Sequence, residues 1–213
     1  MGRDPGMLVE MGRTDLGLAT LRRALAHDPN MAQATHTIAR VHALLGDPER
    51  ASEVLGPVPR DANDIVPYLL MKGRIALWTG ARSLPAALTQ AMAQTSFSAF
   101  TRERLAGLLH VIHERSLTPQ IIADMERQLP IDPRFSPRQN AFHAQIRTEV
   151  QLAAGEIDRA LADLRHADSN GLLDLLWLDR CPLFDGLRGS PELAAVRETT
   201  AARVERTARV LVV

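Results

Sequence analysis

The sequence predicts an all-α protein in which antiparallel helical hairpins stack on one another. Three observations carry this prediction. The 213 residues include 46% hydrophobic but only 4% aromatic residues, and a chain rich in Ala, Leu, Arg and Glu favours helices over strands. Turn-forming residues, mostly glycines, recur at a nearly constant spacing. The apolar residues that follow each of these turns repeat at the same offsets.

The regularly spaced turns mark where one helix ends and the next begins. Gly12, Gly46 and Gly80 lie 34 residues apart, Ser116 follows 36 residues after Gly80, and Gly155 follows another 39 residues on. Each stands between two segments of helical apolar periodicity. Glycine readily takes the left-handed conformation that such a turn often needs. We therefore expect one helix–turn–helix unit around each position.

The second helix of each unit carries the same apolar stripe. Gly17, Leu21 and Ala24 stand five, nine and twelve residues after Gly12. The same three offsets after Gly46, Ser116 and Gly155 are occupied by Ala51, Leu55 and Val58, by Ile121, Met125 and Gln128, and by Ala160, Leu164 and Ala167. Equal offsets place these residues on equivalent helix faces, so we predict that all the second helices bury the same side.

A helical hairpin of 34 residues, with a glycine turn, small residues where the helices touch and a closing proline, resembles the tetratricopeptide repeat. The resemblance covers about residues 7–174 and is clearest around Gly12, Gly46 and Gly155. It implies a right-handed α-solenoid over residues 1–174. We predict repeat units at 1–31 (partial), 32–65, 66–101, 102–135 and 141–174.

Residues 175–213 depart from the repeat, and we predict that they form a helical cap. A short helix is expected to end near Arg180, followed by a turn at Cys181-Pro182 and a long final helix with Ser190 as its N-cap. This tail resembles the segments that follow tetratricopeptide arrays in multidomain bacterial serine/threonine kinases and in cyclase- and ATPase-type regulators. The resemblance implies a regulatory setting in signalling.

The first unit has room for only a short first helix, because Pro5 and Gly6 stand close to its start. Solenoids normally cover the apolar edge that such a unit leaves. Three explanations stay open at this point: an upstream domain of a longer chain, a homodimer formed through this edge, or a short first helix with no further role.

Charge and cysteine content narrow the function classes. The 25 Lys and Arg residues balance 25 Asp and Glu residues, whereas nucleic-acid binders usually carry a basic surface. The start of the sequence lacks the apolar stretch of a signal peptide, and no apolar run approaches the ~18 residues of a membrane span. A single cysteine fits a reducing compartment. We expect a cytoplasmic protein that binds neither nucleic acid nor membrane.

Catalytic motifs are missing from the sequence. It contains no GxxxxGK[ST] phosphate loop and no kinase-type HRD or DFG motif, so we expect no catalytic residue, no cofactor and no enzymatic activity. His110 and His113 share a helix face but match neither HExxH nor HxxEH. We expect no metal site, although an enzyme-accessory or metal-binding solenoid that uses these two histidines stays open as an alternative.

The resemblance implies that the first helices line a concave groove. We therefore expect a non-catalytic protein–protein interaction module that binds a protein or peptide in this groove, as the partner-binding or regulatory part of a bacterial signalling protein. A self-assembling structural repeat protein is a further alternative. The residues expected in the groove are Gln33, His36, Arg40, Arg74, Leu77, Glu103, His110, His113, Phe142, Gln145 and Glu149.

Overall fold

The computed structural model describes residues 5–59, 62–94 and 97–211, and these ranges contain helices and no strand. Residues 1–4 of the predicted partial unit and residues 212 and 213 of the predicted cap lie outside the described part. A 3₁₀ helix, Pro182–Leu187, precedes the last of twelve α-helices. The α-helices are α1 (Pro5–Glu10), α2 (Thr14–His27), α3 (Ala32–Leu44), α4 (Pro48–Leu55), α5 (Ala62–Trp78), α6 (Ala86–Gln94), α7 (Ala99–Glu114), α8 (Pro119–Gln128), α9 (Pro137–Ala153), α10 (Ile157–Ser169), α11 (Leu175–Arg180) and α12 (Pro191–Leu211).

Consecutive helices pair, and the pairs stack. Helix α1 packs against α2, α3 against α4, α7 against α8, and α9 against α10. The first helices of successive pairs also pack on each other, α3 on α5, α5 on α7 and α7 on α9. The predicted all-α solenoid is therefore confirmed. Helices α5 and α7 begin inside the predicted units 32–65 and 66–101, so the repeat boundaries, which stay a proposal, are better placed at residues 62 and 99.

Four of the turns between consecutive helices have the backbone conformation that glycine favours. The φ angles are 76°, 86°, 72° and 78° at Gly12, Gly46, Gly80 and Gly155. In the remaining turn Arg115, and not Ser116, takes the left-handed conformation, with φ of 52°. The Arg115 guanidinium donates to the carbonyl oxygen of Ala81 at 2.8 Å. This anchor helps to hold a non-glycine residue in a conformation that is uncommon for it.

The array closes back on itself. In a typical solenoid each repeat contacts only its neighbours, but here α1 and α3 contact α11, and α5 contacts both α9 and the 3₁₀ helix. Arg138 of α9 donates to both carboxylate oxygens of Glu10 in α1, at 3.0 and 3.1 Å. The first and last units are therefore adjacent, and α9 contacts α5 and α7 as well as its partner α10.

The amino-terminal edge is covered from within the chain. Leu8 and Val9 of α1 are buried, and α1 contacts α2, α3 and α11. The homodimer and the upstream domain stay hypotheses, and the interior contacts already account for the burial of these two residues.

The carboxy-terminal helices pack against the last hairpin and against each other. Helix α12 packs against α10 and α11, with Leu193, Val196 and Val204 buried. Below it the rings of Trp177 and Phe184 meet edge to face, with their centroids 4.8 Å apart. As predicted, Ser190 caps α12, since its Oγ accepts from the Leu193 N–H at 3.2 Å. Within the described ranges, every helix is too short or too polar to cross a membrane.

Candidate functional site

A cavity of about 290 Å³ lies between α3, α5, α7, α8 and α9. We refer to it as the central cavity. Its walls are mainly aliphatic and are formed by Leu70, Met71, Leu108, Ile121, Met125 and Ile146. It reaches the surface where Gln33, Glu103 and Phe142 are exposed. Four first helices and one second helix thus converge on a single apolar space.

The central cavity gathers most of the residues predicted for the groove. Eight of them line it: Gln33, His36, Arg40, Arg74, Leu77, Glu103, Phe142 and Glu149. Gln145 faces a second cavity of about 340 Å³, which Glu10, Arg138 and Asp174 also line. His110 and His113 line neither cavity.

Arg74 and Glu149 form a buried ion pair in the wall of the central cavity. The Arg74 Nε and Nη2 atoms donate to the two carboxylate oxygens of Glu149 at 2.8 and 2.6 Å. Burial alone would lower the pKa of Arg74, but the charge and hydrogen bonds of Glu149 raise it above its ordinary value. The guanidinium also stacks over Trp78, 5.0 Å from the ring centroid. Both side chains are therefore engaged inside the protein and are not free to contact a partner.

Arg40 and Gln145 are engaged in the same way. Both donate to Oδ2 of the buried Asp174, Gln145 from its Nε2 at 3.0 Å. The other Asp174 oxygen accepts from the Trp177 N–H at 3.0 Å and caps α11. One carboxylate thus connects α3, α9 and the start of α11.

Three histidines were expected in the groove, and only one faces the cavity. Burial lowers the pKa of His36, with a smaller opposing effect from Asp64, which favours the neutral ring. His113 Nδ1 lies 2.6 Å from the Arg82 carbonyl oxygen, and His110 Nε2 lies 3.4 Å from Ser116 Oγ. These contacts lie at the carboxy-terminal end of α7 and in the segment that follows α5. The assignment of His110 and His113 to the groove stays a prediction.

The described part of the chain offers little support for a metal site or for a reactive cysteine. In residues 5–59, 62–94 and 97–211, His, Cys, Asp and Glu side chains do not gather in a group of three or more that could hold a metal ion. Cys181 is fully buried. Burial, followed by the negative charge of Glu149, raises the pKa of its thiol, which disfavours the reactive thiolate.

The mouth of the central cavity is polar with mixed charge. Arg127 donates to Glu103 at 2.7 Å and to Asp124 at 3.0 Å. Phe142 is 46% exposed, which makes it the large apolar side chain most available at this opening. Gln33 completes the exposed rim.

Among the lining residues that sequence reasoning did not predict, Gln128 is a buried polar one. Its side chain is only 9% exposed, and its amide nitrogen has no hydrogen-bond partner among the described residues. A signal was present in the sequence. Gln128 stands twelve residues after its turn, at the position where the other units place Ala24, Val58 and Ala167. A polar residue at one position of an otherwise apolar stripe indicates a local departure from simple core packing.

Comparison with known families agrees with the repeat pattern. Residues 8–74 match the family model described as tetratricopeptide repeat. The matched segment runs from within α1 into α5 and therefore includes most of the first hairpin and all of the second. Searches of the curated proteins and of the solved structures gave no match. The match supports tetratricopeptide-type repeats in this chain.

Proposed function

We propose that this chain is a non-catalytic protein–protein interaction module. The observation that carries the proposal is the tetratricopeptide match over residues 8–74, since repeats of this family generally mediate contacts between proteins. The stacking of α3, α5, α7 and α9 supports it, because this arrangement turns four first helices toward one side.

We further propose that the module is the partner-binding or regulatory part of a bacterial signalling protein in the cytoplasm. The sequence of residues 175–213 supports this setting through its resemblance to the tails of multidomain kinases and of cyclase- and ATPase-type regulators. On this proposal α12 ends the repeat array and leaves the rim of the central cavity accessible to the partner.

The proposed contact surface is the exposed rim formed by Gln33, Glu103 and Phe142. Arg40, Arg74 and Glu149 of the predicted groove set are buried in ion pairs inside the protein. The exposed rim residues are therefore the ones available to a partner. Exposed aromatic residues at the centre of a contact surface often contribute much of the binding energy. Phe142 is therefore the proposed anchor of the interaction.

The test begins with copurification from the source cells and identification of the bound protein. The affinity of the purified partner for the wild-type chain is then compared with its affinity for Phe142→Ala. We expect binding to weaken by about tenfold or more. Ile157→Ala is the matched control, because Ile157 is also an exposed apolar residue, 40% accessible, but lies on α10, outside the cavity lining.

Equal losses in the two variants would contradict the rim assignment. A partner that binds both variants as tightly as wild type would place the interaction on another face of the array. Circular dichroism of each variant checks that the helical content is unchanged. Arg40 and Arg74 are unsuitable for this test, since replacing either one breaks a buried ion pair.

A further inference from the structure

We propose that the central cavity is a binding site for a neutral, largely apolar small molecule that carries one hydrogen-bond acceptor, such as a carbonyl oxygen. This site is additional to the proposed partner surface on the rim. It can be tested on the purified chain alone, so its outcome is separate from that of the partner experiment.

The size and lining of the central cavity suit a compact organic molecule. Its volume is about 290 Å³, whereas a dry apolar cavity of about 150 Å³ holds one benzene molecule. Small-molecule pockets typically start near ~300 Å³ and combine apolar walls with a few polar groups. The aliphatic walls contributed by α5, α7, α8 and α9 fit this description and leave room for a two-ring ligand.

Closure of the array favours a small molecule over an extended peptide. A peptide that runs along the concave side would have to pass between α5 and α9 and between α3 and α11. Arg74 and Glu149 occupy the first connection, and Arg40 and Asp174 occupy the second. The peptide would have to separate two buried ion pairs, whereas a small molecule enters beside them.

The charges around the central cavity favour a neutral ligand. Both arginines that line it are already matched, Arg74 by Glu149 and Arg40 by Asp174. At the mouth Arg127 bridges Glu103 and Asp124. A ligand that brought its own charge into this space would bury that charge without a free partner, which is costly.

Gln128 supplies the hydrogen-bond donor. Its Nε2 atom is buried without a partner among the described residues, and an unpaired buried donor is unfavourable. Gln128 lines the cavity, and the terminal torsion of a glutamine side chain is soft, so rotation about this torsion can bring Nε2 to the cavity. An acceptor on the ligand would satisfy this donor and fix the orientation of the ligand.

The test uses two probes of nearly the same shape, benzophenone and diphenylmethane, which differ in a carbonyl group against a methylene group. Protein NMR titrations measure the affinity of the full chain for each. We expect both to bind, with benzophenone about fivefold tighter because of one added hydrogen bond. Near-ultraviolet irradiation of bound benzophenone should also attach it to a cavity residue such as Met71 or Met125, which peptide mass spectrometry identifies.

Two variants test the contributions of the Gln128 donor and of the cavity space separately. Gln128→Met keeps the length of the side chain but removes the amide, so the preference for benzophenone should disappear while diphenylmethane binds as before. Gly107 lines the cavity, and a Cβ atom there would lie 3.7 Å from Ile121 Cγ2, an ordinary contact. Gly107→Leu should therefore fold, fill part of the cavity and abolish binding of both probes.

Each contrary result overturns part or all of this inference. Failure of both probes to bind wild-type protein up to their solubility limits removes the ligand site. Wild-type affinity in a folded Gly107→Leu variant places the probes elsewhere. A preference for benzophenone that survives in Gln128→Met removes the assigned donor. Tighter binding of biphenyl-4-carboxylate than of benzophenone contradicts the neutral class of ligand.

Discussion

At the scale of single residues, Glu10 is an acid whose surroundings favour its protonated form. Burial raises the pKa of this carboxyl group, and the nearby charge of Asp174 raises it further. Arg138 and Arg40 act in the opposite direction without cancelling the effect. The Glu10–Arg138 contact between α1 and α9 is thus formed by a carboxylate that ionises less readily than in the unfolded chain.

This raised pKa has a predictable effect on stability. Between the ordinary value of 4.5 and the higher folded value, the folded state binds more protons than the unfolded state, so stability falls as pH rises. The contribution of Glu10 is fully present below pH 4.5 and is lost as pH passes through the folded pKa. In Glu10→Gln this fall should be absent. Urea unfolding of wild type and variant from pH 4.5 to 7.5 measures it.

The control for the Glu10 experiment is Glu53→Gln, because Glu53 is exposed on α4 and pairs with Arg50 one turn away. Its stability should follow the same pH dependence as wild type. Parallel curves for wild type and Glu10→Gln would show that the surroundings of Glu10 do not disfavour its charged form.

At the scale of elements, the docking of the short helix α1 depends on a glycine in α2. A Cβ atom on Gly17 would lie 2.5 Å from Val9 Cγ2 and 3.0 Å from the Pro5 carbonyl oxygen, closer than side chains tolerate. The equivalent positions of later units hold Ala51 and Ala160. Glycine in the first unit therefore permits a closer approach of its two helices.

We expect Gly17→Ala to destabilise the protein by about 1–3 kcal/mol, because overpacking at this contact outweighs the gain in helix propensity. Gly107→Ala is the matched control in α7, where the nearest atom to an added Cβ lies 3.7 Å away. That variant should be stabilised by up to about 1 kcal/mol. Denaturant unfolding compares the two, and effects of the same sign would contradict the close contact.

The sequence was most informative about the helices and the turns between them. The turns at Gly12, Gly46, Gly80 and Gly155 could be predicted because a left-handed turn is a local property of the chain. The equivalent apolar stripes followed from periodicity alone. The left-handed residue at Arg115 was missed by one position, since no glycine marked it. Local rules thus predicted most of the hairpins but not their closure.

The partners of the buried charges could not be predicted for a related reason. Helical register places Arg40 and Arg74 on the inner side of their helices, but their ion-pair partners lie 134 and 75 residues further along the chain. Such pairs depend on the curvature of the whole stack, which small differences in helix packing determine. Two arginines that were predicted to be free to contact a partner therefore form ion pairs inside the protein.

At the scale of the whole molecule, two buried ion pairs join units that are not neighbours along the chain. Arg74–Glu149 connects α5 to α9, and Arg40–Asp174 connects α3 to the start of α11. Repeat arrays that contact only their neighbours are quasi-one-dimensional, and these connections add contacts between distant units. We therefore expect the described helices to unfold together, as in a compact domain, and not repeat by repeat.

We expect the Arg74–Glu149 ion pair to hold α9 against α5. Glu149→Ala leaves Arg74 buried without its partner, and breaking a buried pair in this way typically costs about 3–5 kcal/mol. The free energy of urea unfolding should fall by that amount, and small-angle X-ray scattering should show a larger radius of gyration as α9 separates from α5. The double variant Arg74→Met/Glu149→Leu should recover most of the stability, because apolar residues can replace a buried pair.

The control is Glu53→Ala, which removes an exposed ion pair and should cost less than about 1 kcal/mol. A Glu149→Ala variant as stable and compact as wild type would mean that the pair does not hold the array closed.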